Sequence, residues 1–221
     1  MNILLQHFQG QLGQLEKLSI ANMKAYAETC NAEYKLLEGA VFNPNMRPQS
    51  QKLHMLSEEF DDYDVVVMLD IDCFTRRGMT KNIFTEEKGI GRHQQTQADL
   101  VKNLERVLPN LCSTKYPYWG GAVYRLERSV RQTLRKHINH FELLQFNRHL
   151  HDEGMMHRLA VLAKLPIDEN TYMEGQSWDF NSFDRGIEDA NIIHIRPKFK
   201  LEGPRCPKID VYNYLASTGV I

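Results

Sequence analysis

The sequence predicts an α/β fold, and three observations carry the prediction. An apolar run opens the chain at residues 3–8, a second strand-like segment covers 34–37, and five consecutive apolar residues follow at Val65-Val66-Val67-Met68-Leu69. Between the first two runs, apolar residues recur at helical spacing. Strand, helix, strand, helix, strand is the pattern of a layered α/β protein. No internal repeat or low-complexity linker divides the 221 residues, so residues 1–221 are read as one domain.

Each element has its own signal. Gly10 and Gly13 break the opening strand, and Leu15, Leu18, Ala21, Asn22, Ala25 and Ala27 then predict a helix to about Cys30. Gly39 closes the second strand. The polar stretch Asn43-Pro44-Asn45-Met46-Arg47-Pro48 is turn chemistry. Leu53, Leu56 and Phe60 fall at helical spacing before the strand at 65–69, whose β-branched residues predict burial on both faces. Further on, the pattern predicts helices over 98–108 and 153–163, strands over 122–126 and 190–195, and a basic, proline-containing tail.

Composition narrows the class. Hydrophobic residues make up 42% and charged residues 25%, as in ordinary globular proteins, and a chain this long needs no disulfide staples. The 27 basic and 28 acidic residues nearly cancel, which argues against a nucleic-acid partner. Cys30, Cys73, Cys112 and Cys206 show no CxxC spacing and read as reduced thiols, pointing to a cytoplasmic compartment. The first residues lack signal-peptide character, and no apolar run approaches the ~20 residues of a membrane span, so no integral membrane segment is expected.

The sharpest chemical signal is Leu69-Asp70-Ile71-Asp72, two carboxylates directly after the buried strand. If the strand continued through them, both side chains would share one face. Ligands of open α/β sheets bind beyond the carboxyl ends of strands. Like charges this close need a cation or a proton, and hard carboxylate oxygens suit Mn²⁺ or Mg²⁺. The plain alternative is a strand that ends in water.

Several segments share a resemblance. Lys52-Leu53 and the run Tyr63-Asp64-Val65-Val66-Val67-Met68-Leu69-Asp70-Ile71-Asp72 resemble the donor-binding core of GT-A glycosyltransferases of the glycogenin and lipopolysaccharide-galactosyltransferase type. Asp152-Glu153-Gly154-Met155-Met156 is similar to that family's Asp-Gln-Gly-Leu-Leu segment. His194-Ile195-Arg196-Pro197-Lys198-Phe199-Lys200 is similar to its His-x-x-Gly-x-x-Lys element, and Tyr118-Trp119-Gly120-Gly121-Ala122-Val123-Tyr124 to its small-residue strand. The matches keep the family's order over roughly residues 1–200, with Glu153 in place of Gln and Pro197 in place of Gly. The compact length also resembles glycosyltransferases of large DNA viruses, which would place the protein in host cytoplasm.

The resemblance implies a GT-A, Rossmann-like domain with a central, mostly parallel mixed sheet flanked by helices. Its nucleotide-binding half would cover about 1–110 and its acceptor-side half about 111–221. It implies metal ligation by Asp70, Asp72 and His194, with Asp70 also near the donor. Lys198 and Lys200 would neutralise the diphosphate, with Lys52 and Arg47 assisting. Gln6, His7 and Phe8 would meet the uracil, and Gly120 and Gly121 would admit the sugar ring. Asp152 and Glu153 would stand at the reacting centre. The implied partners are a UDP-sugar donor and a glycan or glycoprotein acceptor.

For several of these residues a structural role is the alternative. Asp152 suits a helix N-cap, Gly120-Gly121 a tight turn, Lys198 and Lys200 a solvated tail, and His194 a strand end. Rival functions are also open. A haloacid-dehalogenase-like phosphatase would use Asp70 as nucleophile, although Phe74 stands where Thr or Val is expected and Thr75 comes one residue late; Glu188-Asp189 would be its downstream acidic pair. A nucleotidyltransferase needs a basic, glycine-rich loop that Gln9-Gly10-Gln11-Leu12-Gly13 does not supply. A non-catalytic nucleotide-sugar-binding module would keep the cleft without the chemistry. His137, His140, His149, His151 and His157 fit no common zinc spacing.

Overall fold

The computed structural model describes residues 1–86, 95–148, 151–165 and 178–221. β1 (Asn2–Phe8) leads into α1 (Gln14–Thr29) and β2 (Glu33–Glu38). Two 3₁₀ turns, Pro48–Leu56 and Glu58–Phe60, precede β3 (Val65–Leu69) and the short β4 (Cys73–Thr75). α2 (Gln95–Val107), β5 (Val123–Glu127), α3 (Arg128–Arg135), α4 (His140–Leu143) and α5 (His151–Leu162) follow. The chain ends with β6 (Phe180–Asn181), β7 (Ile192–His194) and α6 (Lys208–Ser217).

The main sheet has the order β2-β1-β3-β5, with β1 parallel to both neighbours and β5 antiparallel to β3. Both faces of β1 and β3 are buried, as the unbroken apolar run predicts. Leu4, Val65, Val67 and Leu69 pack toward Met23, Tyr26 and Ala27 of α1. Ile3, Leu5, Val66 and Met68 face Leu53, Met55, Met156 and Leu159 on the opposite layer. The helical spacing of Leu53, Leu56 and Phe60 is realised as 3₁₀ rather than α-helix. Ser57 breaks the run with extended backbone and caps the second turn by accepting from the Glu59 amide.

A second, three-stranded sheet has the order β4-β7-β6, and it sets the site. β4 and β7 run antiparallel with Cys73 opposite His194, and the Ile195 amide donates to the Asp72 carbonyl. A chain segment more than a hundred residues downstream is thereby fastened beside the acidic pair.

The tail expected after residue 195 is corrected by α6, which buries Val211 and Leu215 against Leu15, Phe74, Ile193 and Ile195. Pro207 before Lys208, with apolar residues four apart at 211 and 215, is the start signal that a reading centred on the basic residues passes over. All four cysteines are free thiols. Among the described residues no helix is long and apolar enough to cross a membrane.

Phe74 is 1% exposed and stacks 4.7 Å from the Tyr212 ring, tying β4 to α6. Phe74→Ala is expected to cost about 3–5 kcal/mol in urea unfolding, as for other buried aromatic truncations. A loss below 1 kcal/mol would contradict the packing described.

Candidate functional site

β3 stops at Leu69, and the chain turns through 70–72 instead of continuing as a strand. The Asp70 amide donates to the Ala122 carbonyl and the Cys73 amide to the Asp70 carbonyl, closing the turn. The two carboxylates therefore converge through a turn and not through strand alternation, correcting the geometry expected from the sequence. Gln6 supports the turn from beneath. Fully buried, it donates through Nε2 to the Asp70 carbonyl at 3.0 Å and to Ser19 Oγ at 3.0 Å, and accepts from the Tyr34 hydroxyl at 2.9 Å.

His194 Nε2 lies 3.2 Å from Asp72 Oδ1 and 3.7 Å from Asp70 Oδ2. One donor atom from each of Asp70, Asp72 and His194 fits within 4.8 Å of the others, the one such three-residue grouping among the described residues. Burial alone would lower the His194 pKa, but Asp72 and then Asp70 outweigh it and raise it. Burial alone would raise Asp72, but His194 and then Lys208 hold its carboxyl well below the usual range. The Lys208 ammonium is ion-paired with Asp72 Oδ2.

Lys52 occupies the other side. Only 5% exposed, it reaches Asp70 Oδ1 at 2.6 Å, Asp152 Oδ2 at 2.8 Å and the Gly121 carbonyl at 2.6 Å. An ammonium has three donors, and all three are used here. Burial opposes its charge, yet Asp152 and Asp70 outweigh burial and raise its pKa.

Asp152 lies inside the first turn of α5, and its Oδ2 also accepts from the Tyr124 hydroxyl at 3.1 Å, so the side chain is directed inward and not to a capping role. Burial raises its pKa to about 6, with Lys52 opposing and Asp70 and Glu153 adding. Glu153 accepts from the Gly121 amide at 3.0 Å and the Tyr118 hydroxyl at 2.7 Å. A Cβ at Gly121 would stand 2.5 Å from Asp152 Oδ2, so glycine is required for this close approach. Gly120 is buried beside it.

An open cleft of about 370 Å³ lies over Lys52, the acidic pair and His194, within the ~300–1,000 Å³ usual for small-molecule sites. His7, Phe8, Lys52, Asp70, Asp72 and His194 line it. Of the other expected residues, Gln6, Gly121 and Asp152 contact Asp70 or Lys52 without lining the cleft. Gly120 and Glu153 do not line it either, which corrects the expected place of these residues against the donor. His7 donates to the Gly39 carbonyl at 2.7 Å, and burial holds its pKa below the ordinary histidine value.

Three expected cations stand elsewhere. The Lys198 ammonium donates to the Leu201 carbonyl, Lys200 is exposed, and Arg47 lies 3.5 Å from His151; none of them lines the cleft. Lys208 and Arg196 line it instead, together with Gln9, Pro48 and Gln49. Arg196 lay in the His194 segment, but Lys208 had no motif to mark it. Of the histidines weighed for zinc, His157 is buried, with Nδ1 2.8 Å from the Pro117 carbonyl, and His149 lies outside the described residues.

Carbon NMR of the Asp152 carboxyl is expected to give a midpoint near pH 6 in the folded chain, against 3.8 as the ordinary value. Because the folded value is the higher one, the associated stability is present below about pH 3.8 and is lost as pH rises to about 6. Lys52→Met removes the ammonium that lowers this pKa, so the midpoint is expected to rise further; a fall would contradict the clamp.

No protein-family model matches the sequence, and no curated protein does. Solved structures do. A glycosyltransferase involved in the glycosylation of the major capsid of PBCV-1 aligns with TM-score 0.60 at 9% identity, covering 97% of this chain and 98% of that one. The galactosyltransferase LgtC, solved with donor and acceptor sugar analogs, aligns with TM-score 0.54 at 11% identity over 98% and 96% of the two chains. An active-site glutamine-to-glutamate variant of LgtC aligns with TM-score 0.52 at 13% identity over the same shares. The chain therefore has the GT-A glycosyltransferase fold, with its acidic pair and histidine facing the cleft.

Proposed function

We propose that this chain is a metal-dependent glycosyltransferase that moves a sugar from a nucleoside-diphosphate sugar, with UDP as the nucleotide, to a hydroxyl of a glycan or glycoprotein acceptor. The carrying observation is the convergence of Asp70, Asp72 and His194 on one open cleft, in a fold whose solved neighbours are glycosyltransferases.

The donor set fits a divalent ion. Two hard carboxylates and an imidazole suit Mn²⁺, and Mg²⁺ less well because of the nitrogen donor. The carboxylates already attract cations, since Lys52 and Lys208 sit on them. In this reading Asp70, Asp72 and His194 hold the ion, which when bound offsets negative charge growing on the departing diphosphate.

The chain's own residues supply the rest. His7 and Phe8, on the cleft wall at the end of β1, are assigned to the nucleobase, with Gln6 bracing the Asp70 turn beneath them. Arg196 and Lys208 are the cleft cations closest in chemistry to a diphosphate partner. Lys198, Lys200 and Arg47 would need to swing inward to share that task. Lys52 holds Asp70 and Asp152 in register and keeps their charges compensated. Asp152 does not line the cleft, so its assignment to the reacting centre is as the carboxylate that holds Lys52, and through Lys52 Asp70, in place. Glu153 orients Gly121, whose carbonyl accepts from the cleft-lining Lys52, and it is through Lys52 that Gly121 bears on the donor site.

Calorimetry of UDP with Mn²⁺, with Mg²⁺ and with chelator tests the reading, comparing wild type with Asp72→Asn. UDP binding is expected to need the metal and to weaken at least tenfold in the variant, since a charged ligand pair loses one member. Turnover of a UDP-sugar should fall in parallel. Wild type that ignores UDP under every condition would overturn the proposal, and binding without turnover of any nucleotide sugar would favour the non-catalytic module.

A further inference from the structure

Lys208 is placed unusually for a cleft lysine. It begins α6, fourteen residues beyond the strand β7 that carries His194, and its ammonium pairs with Asp72. The backbone that carries it is pinned. The Cys206 amide donates to the Pro197 carbonyl at 3.0 Å, which closes the connecting segment on itself. Val211 and Leu215 are buried, Tyr212 stacks on Phe74, and Arg77 donates to the Val220 carbonyl through its amide and to the Ile221 oxygen through its guanidinium. The helix therefore cannot retreat from the cleft, whereas the lysine side chain, 37% exposed, can swing on its flexible stem.

The partner, Asp72, is also one of the three groups proposed to hold a divalent ion, and its other oxygen faces His194. An ammonium and a divalent cation around one small carboxylate repel each other strongly in a partly buried site. A diphosphate arriving with the cation supplies new negative charge within the same cleft.

We propose that Lys208 is a built-in counter-cation that competes with the divalent ion for Asp72 and, once displaced, grips the diphosphate. This rests on the glycosyltransferase reading and deepens it. Metal alone must drive Lys208 off without compensation, whereas metal with a nucleoside diphosphate gives Lys208 a new partner. Lys208 thus couples the two ligands, disfavouring metal by itself and favouring the metal–diphosphate pair. Coupling of this kind is reciprocal between ligands.

The test is calorimetric and needs no turnover: Mn²⁺ alone, then UDP at saturating Mn²⁺, on the full chain. Lys208→Met is expected to bind Mn²⁺ about tenfold tighter and UDP about tenfold weaker, the opposite signs following from loss of one charge that repels metal and attracts phosphate. Lys208→Arg should stay close to wild type in both. Lys208→Gln, which keeps a hydrogen-bond donor beside Asp72 without the charge, should reproduce the split, and thermal melts check that each variant is folded. Unchanged or weaker Mn²⁺ binding in Lys208→Met and Lys208→Gln would overturn the assignment, as would a shift of both affinities in one direction. If wild type binds neither Mn²⁺ nor UDP, the parent reading falls with it; if wild type binds both and the variants do not split them, the Lys208 assignment alone falls.

Discussion

The buried Lys52 ammonium is the contact on which the site's geometry depends. It joins four parts of the chain: its own 3₁₀ turn, the end of β3 through Asp70, the start of α5 through Asp152, and the segment before β5 through the Gly121 carbonyl. A buried charge is costly unless it is paired and hydrogen-bonded, and this one is saturated. The arrangement leaves little freedom around it. Gly121 must lack a side chain, Glu153 must take the Gly121 amide, and Tyr124 must share Asp152. The 5.7 Å approach of the ammonium to the Tyr124 ring adds a further favourable contact.

A second lysine answers the first across the acidic pair. Lys52 neutralises Asp70 from inside, and Lys208 neutralises Asp72 from the solvent side. The difference in burial separates their tasks. An ammonium with all three donors engaged in the interior holds other groups in position, whereas a partly exposed one on a flexible stem can exchange partners. His194 completes the enclosure because β4 and β7 pair with Cys73 opposite it. The small sheet is thus as necessary to the site as the large one, although it contributes only short strands.

Much of this was legible from residue order. The apolar run at 65–69 required a strand covered on both faces, and the alternation of its residues between two cores bears that out. The helix after Gly13 and the strand at the chain start followed from periodicity. The acidic pair announced itself by its place at a strand end, and the segment carrying His194 by its likeness to a known family. Less was legible where the decisive contact is made across the chain. The spacing of Leu53 and Leu56 could not distinguish α from 3₁₀ geometry, because both bury residues three apart, and Phe60 belongs to a separate turn after the break at Ser57.

The sequence by itself determined which segments are apolar enough to build the sheet and where two carboxylates must meet the end of a strand, because both are local properties of neighbouring residues. Only the tertiary structure decided which cations serve those carboxylates. Lys198 and Lys200 are nearer to His194 in the chain, but the segment after β7 turns outward and carries them away from the cleft, while α6 returns Lys208 to Asp72. Charge pairing depends on distance through space, and that distance is set by how α6 packs on Phe74 and Leu15, a contact that no local pattern encodes.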